Sequence, residues 1–229
     1  VCAVDSELGT VQPIRKITEI LEDFPNCRLH VDATQAIGKT ELVMDGVDTM
    51  SIAPHKFYGL NGSGLLLKKS SLIIEPQTHG GSSTTPYRSG TPALALAVSI
   101  EKALQLTLTQ QEERIRCVRQ LNEYLKTALL HYPAVRINSP EGAVPHILNL
   151  SVQGLKGTVF QRVLSERGVC VSVKSACSAE GTPSKAVFAV SGDRKNALSS
   201  WRVSLSHLTT REELDEFLQV FDQCYKELG

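Results

Sequence analysis

A chain of 229 residues, 41% of them apolar, is long enough to bury a substantial core and to form two subdomains. Its 24 basic residues balance 24 acidic ones, and without net charge or a dense Lys/Arg run no nucleic-acid partner and no polybasic membrane surface is expected. No apolar run of about 18 residues occurs, so no membrane span is expected; six scattered cysteines, with no Cys-x-x-Cys and no His-rich cluster, argue against a metal site or a disulfide framework and for a reducing, cytoplasmic setting.

In chain order, Val1 to Val4 reads as a buried strand, lacking the basic start and long apolar core of a signal peptide. Ile14 to Asp23 predicts an amphipathic helix, and Leu29 to Val31, Thr49 to Ile52 and Gly64 to Leu67 predict short strands. Strands alternating with helices indicate an α/β fold with a largely parallel sheet. Ala93 to His131 predicts mainly helix, with the charged run Gln110 to Arg119 as its solvated face. Pro133 and Asn138-Ser139-Pro140-Glu141-Gly142 stop that helix and mark the entry to a second unit. There, a strand at His146 to Val152, a helix near Gly157 to Arg167, and strands at Cys170 to Val173 and Trp201 to Leu205 predict an α+β subdomain. The last helix carries a capping box, Thr210 with Glu213, and one apolar stripe of Leu214, Phe217, Leu218, Phe221 and Leu228. His30, His146 and His207 have apolar neighbours and are expected to be structural; Cys2, Cys170 and Cys224 are expected to pack.

Five segments carry chemistry. In Ser51-Ile52-Ala53-Pro54-His55-Lys56-Phe57-Tyr58-Gly59, a lysine stands where a strand opens into a loop, the place for an amine that forms a Schiff base in a partly desolvated pocket or for an ordinary solvated His-Lys pair. Leu29-His30-Val31-Asp32-Ala33-Thr34-Gln35 ends a buried strand in a carboxylate with a carboxamide three residues on. Asp32 there reads equally as the partner of a protonated ring nitrogen or as a helix N-cap. Gly80-Gly81-Ser82-Ser83 and Tyr87-Arg88-Ser89-Gly90-Thr91-Pro92 offer hydroxyls and free N–H groups of the kind that hold phosphate, or form an ordinary loop. Val171-Ser172-Val173-Lys174-Ser175-Ala176-Cys177-Ser178 leaves a cysteine among small polar residues, where Lys174 favours the nucleophilic thiolate. Ser199-Ser200-Trp201-Arg202-Val203-Ser204-Leu205 places an arginine in an apolar strand, and a buried arginine usually answers a carboxylate.

In order and spacing these segments resemble the pyridoxal-phosphate-dependent cysteine desulfurases of the iron–sulfur-cluster and nitrogen-fixation type, in the class V aminotransferase superfamily. The likeness runs the whole length of the chain: Asp5-Ser6-Glu7-Leu8-Gly9-Thr10-Val11-Gln12-Pro13-Ile14 resembles the family's Asn-Asn-Glu-Val-Gly segment, and Thr209 to Asp215 is also similar. The resemblance implies a fold-type-I large domain, its C-terminal part at residues 1–110 with a mainly parallel sheet, and a C-terminal α+β small domain at 111–229 carrying the cysteine loop. It implies that Lys56 forms the Schiff base with pyridoxal 5'-phosphate, Asp32 pairs with the pyridinium nitrogen, Gln35 bonds the ring hydroxyl, and His55 contacts the phosphate. Ser6 takes the place beside the ring, Thr91 reaches the phosphate of the neighbouring subunit in a homodimer, Arg202 holds the substrate carboxylate, and Cys177 accepts sulfur. The implied reaction converts L-cysteine to L-alanine and leaves a persulfide on Cys177 for a sulfur-acceptor or scaffold protein.

Several positions depart from the family pattern. Ser6 stands for an asparagine and reaches less far, Ala53 for a phosphate-site serine, and Lys174 for a glycine. The family's ring-stacking histidine and its Gly-Thr phosphate turn have no counterpart, so the chain reads as the C-terminal part of such an enzyme. Two other readings follow: a different class V reaction such as selenocysteine cleavage, or a catalytically silent scaffold.

Overall fold

The computed structural model describes residues 1–81, 85–174 and 181–228. The chain divides into two compact units, one of residues 1–3 and 13–110, the other of residues 4–12 and 111–229.

In the first unit the chain enters α1 (Ile14–Leu21), then β1 (His30–Asp32), β2 (Thr49–Ile52), a 3₁₀ turn at Pro54–Phe57, β3 (Leu65–Lys68) and α2 (Leu94–Thr109). β1 and β2 are parallel with Asp32 opposite Ser51, and β3 runs antiparallel to β2. Residues 1–3 extend the sheet beyond β1 without forming the expected strand: Cys2 bridges Asp32 in parallel, and Ala3 N donates to Asp32 O at 2.8 Å. The sheet is therefore mixed, parallel in two of its three pairings. Thr-Met-Ser-Ile alternates, so Met50 and Ile52 are buried while Thr49 and Ser51 share the other face with His30 and Asp32. His30 is exposed on that face and bonds Thr49 Oγ1 at 2.8 Å and Ser51 Oγ at 3.3 Å, so it is a polar cross-strand tie and not an apolar-packed histidine. At the opposite end of the strands, buried Asp48 accepts from Leu29 N at 2.8 Å and meets Lys69 Nζ at 3.3 Å.

The second unit begins with a tight turn. Val4 bridges Val11, Asp5 Oδ1 accepts from the amides of Glu7 (2.9 Å) and Leu8 (2.6 Å), and Gly9 takes φ +75°. From residue 111 come α3 (Gln111–Leu129), β4 (Val135–Ile137), β5 (Ile147–Val152), α4 (Gly157–Glu166), α5 (Lys185–Ser191), α6 (Arg194–Ser199), β6 (Ser200–Ser204) and α7 (Arg211–Leu228). The long predicted helix is thus two helices parted at Gln110, which is also where the two units divide, ahead of Pro133.

β4, β5 and β6 form an antiparallel sheet with fully buried β5 in the centre. One face of β5 sends Leu148, Leu150 and Val152 into a core with Phe160, Trp201, Phe217 and Phe221; Trp201 stacks on Phe160 with centroids 5.4 Å apart. The helix over this core keeps its predicted stripe, with Cys224 buried in it. Its capping box closes both ways: Thr210 N to Glu213 Oε2 at 2.8 Å, and Glu213 N to Thr210 Oγ1 at 3.2 Å.

Two cysteine expectations fail. Cys2 and Cys170 are exposed, because neither stands in a paired strand: the expected strand from Cys170 to Val173 reduces to a single bridge between Ser172 and Arg202. Cys170 instead borders a cavity of about 470 Å³ lined also by Val171, Ser204 and Phe217.

Candidate active site

The first unit brings four of the expected residues to the carboxyl ends of its parallel strands. Asp32 is the last residue of β1, and Lys56 lies in the 3₁₀ turn that begins two residues after β2 ends. Adjacent parallel strands lie about 4.8 Å apart, and crevices beyond their carboxyl ends are where α/β sheets take ligands. The turn forms because Pro54 presets its first position and Tyr58 closes it in the left-handed region at φ 73°. Pro54 O accepts from Gly59 N at 2.9 Å, and a Cβ on Gly59 would stand 2.8 Å from Pro54 Cβ. From α2, Thr107 Oγ1 reaches Phe57 O at 3.4 Å and props the turn from below. Phe57 is buried while His55 and Lys56 are exposed, so the turn holds itself by its apolar residues and presents the imidazole and amine. Among the described residues neither side chain has a hydrogen-bonding or ion-pair partner within the chain.

Asp32 settles partway between its two readings. Its Oδ1 accepts from Thr34 N at 2.9 Å, an Asx turn, and residues 34–39 form turns and no helix. One carboxylate oxygen is held by the backbone, and the carboxyl plane is thereby oriented. Gln35 Oε1 accepts from Lys39 Nζ at 2.7 Å, which leaves its amide N–H groups as donors. Thr91 is exposed, ahead of α2, and makes no side-chain hydrogen bond among the described residues.

The second unit holds Ser6 and Arg202. They meet directly, Arg202 Nη1 donating to Ser6 O at 2.6 Å, while Arg202 Nε reaches Ser204 Oγ at 3.2 Å. The expected carboxylate partner is thus a backbone carbonyl. Two of the five guanidinium N–H groups are used, leaving three for a ligand. Burial pushes the Arg202 pKa down from its ordinary value, and the charges of Glu7 and then Asp5 oppose that. Cys177 lies outside the described residues. Lys174, on its N-terminal side, is engaged: Nζ donates to Thr182 O and Oγ1, each at 2.9 Å.

Sequence reasoning passed over the polar network behind Arg202. Asn149, its cross-strand partner, is fully buried; Nδ2 donates to Glu7 O at 3.2 Å and Oδ1 accepts from Asn138 Nδ2 at 2.9 Å. A signal was present in Ile-Leu-Asn-Leu-Ser-Val, where Asn149 and Ser151 fall on one face of an otherwise apolar strand.

The aminotransferase class-V family profile matches residues 1–217 of the chain. The chain belongs to this family. Among its class-V relatives, a NifS/IcsS protein homolog from Lactobacillus delbrueckii subsp. bulgaricus is 35% identical over 232 residues, covering 99% of this chain and 60% of that protein. A protein named cysteine desulfurase IscS from Dictyoglomus turgidum is 31% identical over 98% of this chain and 58% of its own length. Among solved structures, a NifS-like protein superposes with a TM-score of 0.89 at 29% identity, over 99% of this chain and 60% of that one. The NifS-like protein of Rickettsia africae gives 0.88 at 25% identity, over 98% and 61%. The fold is that of the NifS-like class-V enzymes, and the chain spans about 60% of the length of these relatives.

The first-unit residues fit pyridoxal phosphate, the cofactor of class-V enzymes. A backbone-oriented carboxylate, a carboxamide whose oxygen is engaged by Lys39, and an exposed amine and imidazole on a braced turn stand at one end of one sheet. Such a set matches a protonated ring nitrogen, a ring oxygen, an aldehyde and a phosphate.

Proposed function

We propose that the chain is the lysine- and cysteine-bearing part of a pyridoxal-phosphate-dependent cysteine desulfurase, which converts L-cysteine to L-alanine and leaves the sulfur on Cys177 as a persulfide. The observation that carries this reading is that Asp32 and the Lys56 turn stand at the carboxyl ends of two adjacent parallel strands in a chain of the class-V family. Support for the substrate comes from the relatives named cysteine desulfurase.

When bound, the cofactor supplies an electron sink for chemistry at the α-carbon of an amino acid. Lys56 would anchor it, and its Nζ is the base that would carry the α-proton. Asp32 would hold a proton at the ring nitrogen, while Gln35 would donate to the ring oxygen and His55 to the phosphate. Arg202 orients L-cysteine through its remaining N–H groups. Cys177 offers the sulfur-accepting thiolate and hands the sulfur to an acceptor protein. The active unit is a homodimer in which Thr91 faces the partner's phosphate.

The test is spectroscopic and then chemical. Purified protein titrated with pyridoxal phosphate is expected to show the visible band of a lysine-bound cofactor, lost in Lys56→Ala. Added L-cysteine is expected to place one extra sulfur on Cys177 by mass spectrometry, lost in Cys177→Ala. A band that persists in Lys56→Ala, or L-alanine formed at the normal rate by Cys177→Ala, would overturn the assignment.

A further inference from the structure

The second unit buries a carboxylate that the proposed chemistry leaves unused. Glu7 is 8% exposed and accepts a hydrogen bond from Ser184 Oγ, on a residue 1% exposed that also caps α5 through Val187 N at 3.1 Å. Glu7 follows Ser6, whose carbonyl receives Arg202 Nη1 at 2.6 Å, and its own carbonyl receives Asn149 Nδ2 at 3.2 Å. Arg202 and Asn149 are opposite one another on β6 and β5. Two successive carbonyls are thus held by two side chains that are neighbours across one strand pair, which fixes Glu7 relative to the guanidinium. The other acid nearby, Asp5, has its Oδ1 on the Glu7 and Leu8 amides.

We propose that Glu7 is a positioning residue that sets the anion affinity of Arg202: its buried carboxylate balances the guanidinium, keeps it seated on the Ser6 carbonyl, and weakens its hold on a bound carboxylate. The inference rests on the reading of Arg202 as the carboxylate receptor. A half-buried cation without a counter-charge binds an arriving anion tightly; the negative charge of Glu7, one residue along from the carbonyl that holds the guanidinium, opposes that attraction. The chemistry gives this a use, because substrate and product of the proposed reaction carry the same α-carboxylate, and a receptor that binds too strongly retains the product.

Propionate, a carboxylate with no reactive group, is the probe. Its binding is followed by the Nε–Hε resonance of Arg202 in ¹⁵N-labelled protein, assigned by its absence in Arg202→Lys. Glu7→Gln keeps an acceptor for Ser184 and removes the charge, and is expected to tighten propionate binding by a factor on the order of five. Ser184→Ala keeps the charge and removes the hydrogen bond; it leaves the affinity within about twofold. Should the Gln variant not fold, Glu7→Met, apolar and of similar volume, makes the same test. Unchanged or weaker binding on loss of the Glu7 charge overturns the proposal. A wild-type protein whose Arg202 resonance does not respond to propionate overturns instead the reading of Arg202 as a carboxylate receptor.

Discussion

Asn149→Ala is the perturbation that most directly tests whether the second unit is built around its polar network. The residue is 0% exposed in the central strand; its side chain makes two hydrogen bonds, Nδ2 to Glu7 O at 3.2 Å and Oδ1 from Asn138 Nδ2 at 2.9 Å, and its backbone N donates to Ser139 Oγ at 2.8 Å. Truncation spares the backbone bond and removes the other two. Asn138 Nδ2 retains Ser151 Oγ at 2.7 Å, so its loss is partial, whereas the Glu7 carbonyl loses a buried donor. A net bond is worth about 1 kcal/mol and a stranded buried group about 1–3 kcal/mol, so the two together, with a small cavity, amount to about 2–4 kcal/mol. The assay is urea unfolding followed by the fluorescence of Trp201, the single tryptophan of the chain. It is buried in the second-unit core and so reports on that unit. With a slope of about 2 kcal/mol per molar, the middle of the range for small units, the midpoint is expected to fall by about 1–2 M. A loss below about 0.5 kcal/mol, the range of ordinary surface substitutions, would refute the view that this network holds the Ser6–Glu7 turn to the sheet.

Two further predictions concern the first unit. In Asp48, the Leu29 amide foremost, then Lys69 and Arg28, hold the carboxyl below its ordinary 3.8, against the opposing effect of burial. A depressed folded pKa contributes stability above the unfolded value that is lost as pH falls through the folded one. The stability gap between wild type and Asp48→Asn is therefore expected to be about 1–2 kcal/mol at neutral pH, with little from the ion pairs because Lys69 and Arg28 are 44% and 65% exposed. The gap closes as pH drops below 3.8; a gap of equal size at neutral pH and about pH 3 in urea titrations followed by circular dichroism would contradict this origin. Gly38 has φ +72°, and a Cβ there would lie 2.2 Å from Thr107 Cγ2. Gly38→Ala is expected to cost about 1–3 kcal/mol and to disturb the Lys56 turn through Thr107. Thermal unfolding of the double variant with Thr107→Ser, which removes the clashing methyl, should recover part of the loss; no recovery would place the strain in the backbone alone.

Where local chemistry decides a structure, the sequence was readable. Thr49 to Ile52 is a strand over the predicted residues because its alternation leaves one register that buries Met50 and Ile52. The capping box and stripe of the last helix follow from side chains three and four residues apart. Long-range geometry was less legible. The segment Cys170 to Val173 has strand composition, yet it pairs only at Ser172, and composition cannot count partners. β4, three residues long, is too short for a period to show. In the candidate site, the places of Asp32 at a strand end and of Lys56 in the turn after a strand were legible because a short apolar run marks each strand. The Arg202 partner was not, because carbonyls carry no residue identity: the guanidinium is met by the backbone of Ser6, 196 residues away.

That substitution of a carbonyl for a carboxylate changes what the arginine can do. A salt bridge to a side-chain acid would spend the guanidinium's planar fork, and an incoming carboxylate would have to displace it. A single carbonyl at Nη1 and a hydroxyl at Nε orient the group and leave three N–H groups for a ligand. The negative charge that favours the half-buried guanidinium stands one residue along, on Glu7, which raises the Arg202 pKa by its field and keeps its own oxygen on Ser184. Orientation and charge balance thus come from different atoms of one turn, and that turn is held by Asn149, the residue paired with Arg202 across the sheet. Stability of the second unit and the orientation of Arg202 consequently rest on the same hydrogen-bond network, so a substitution that loosens Asn149 is expected to lower both.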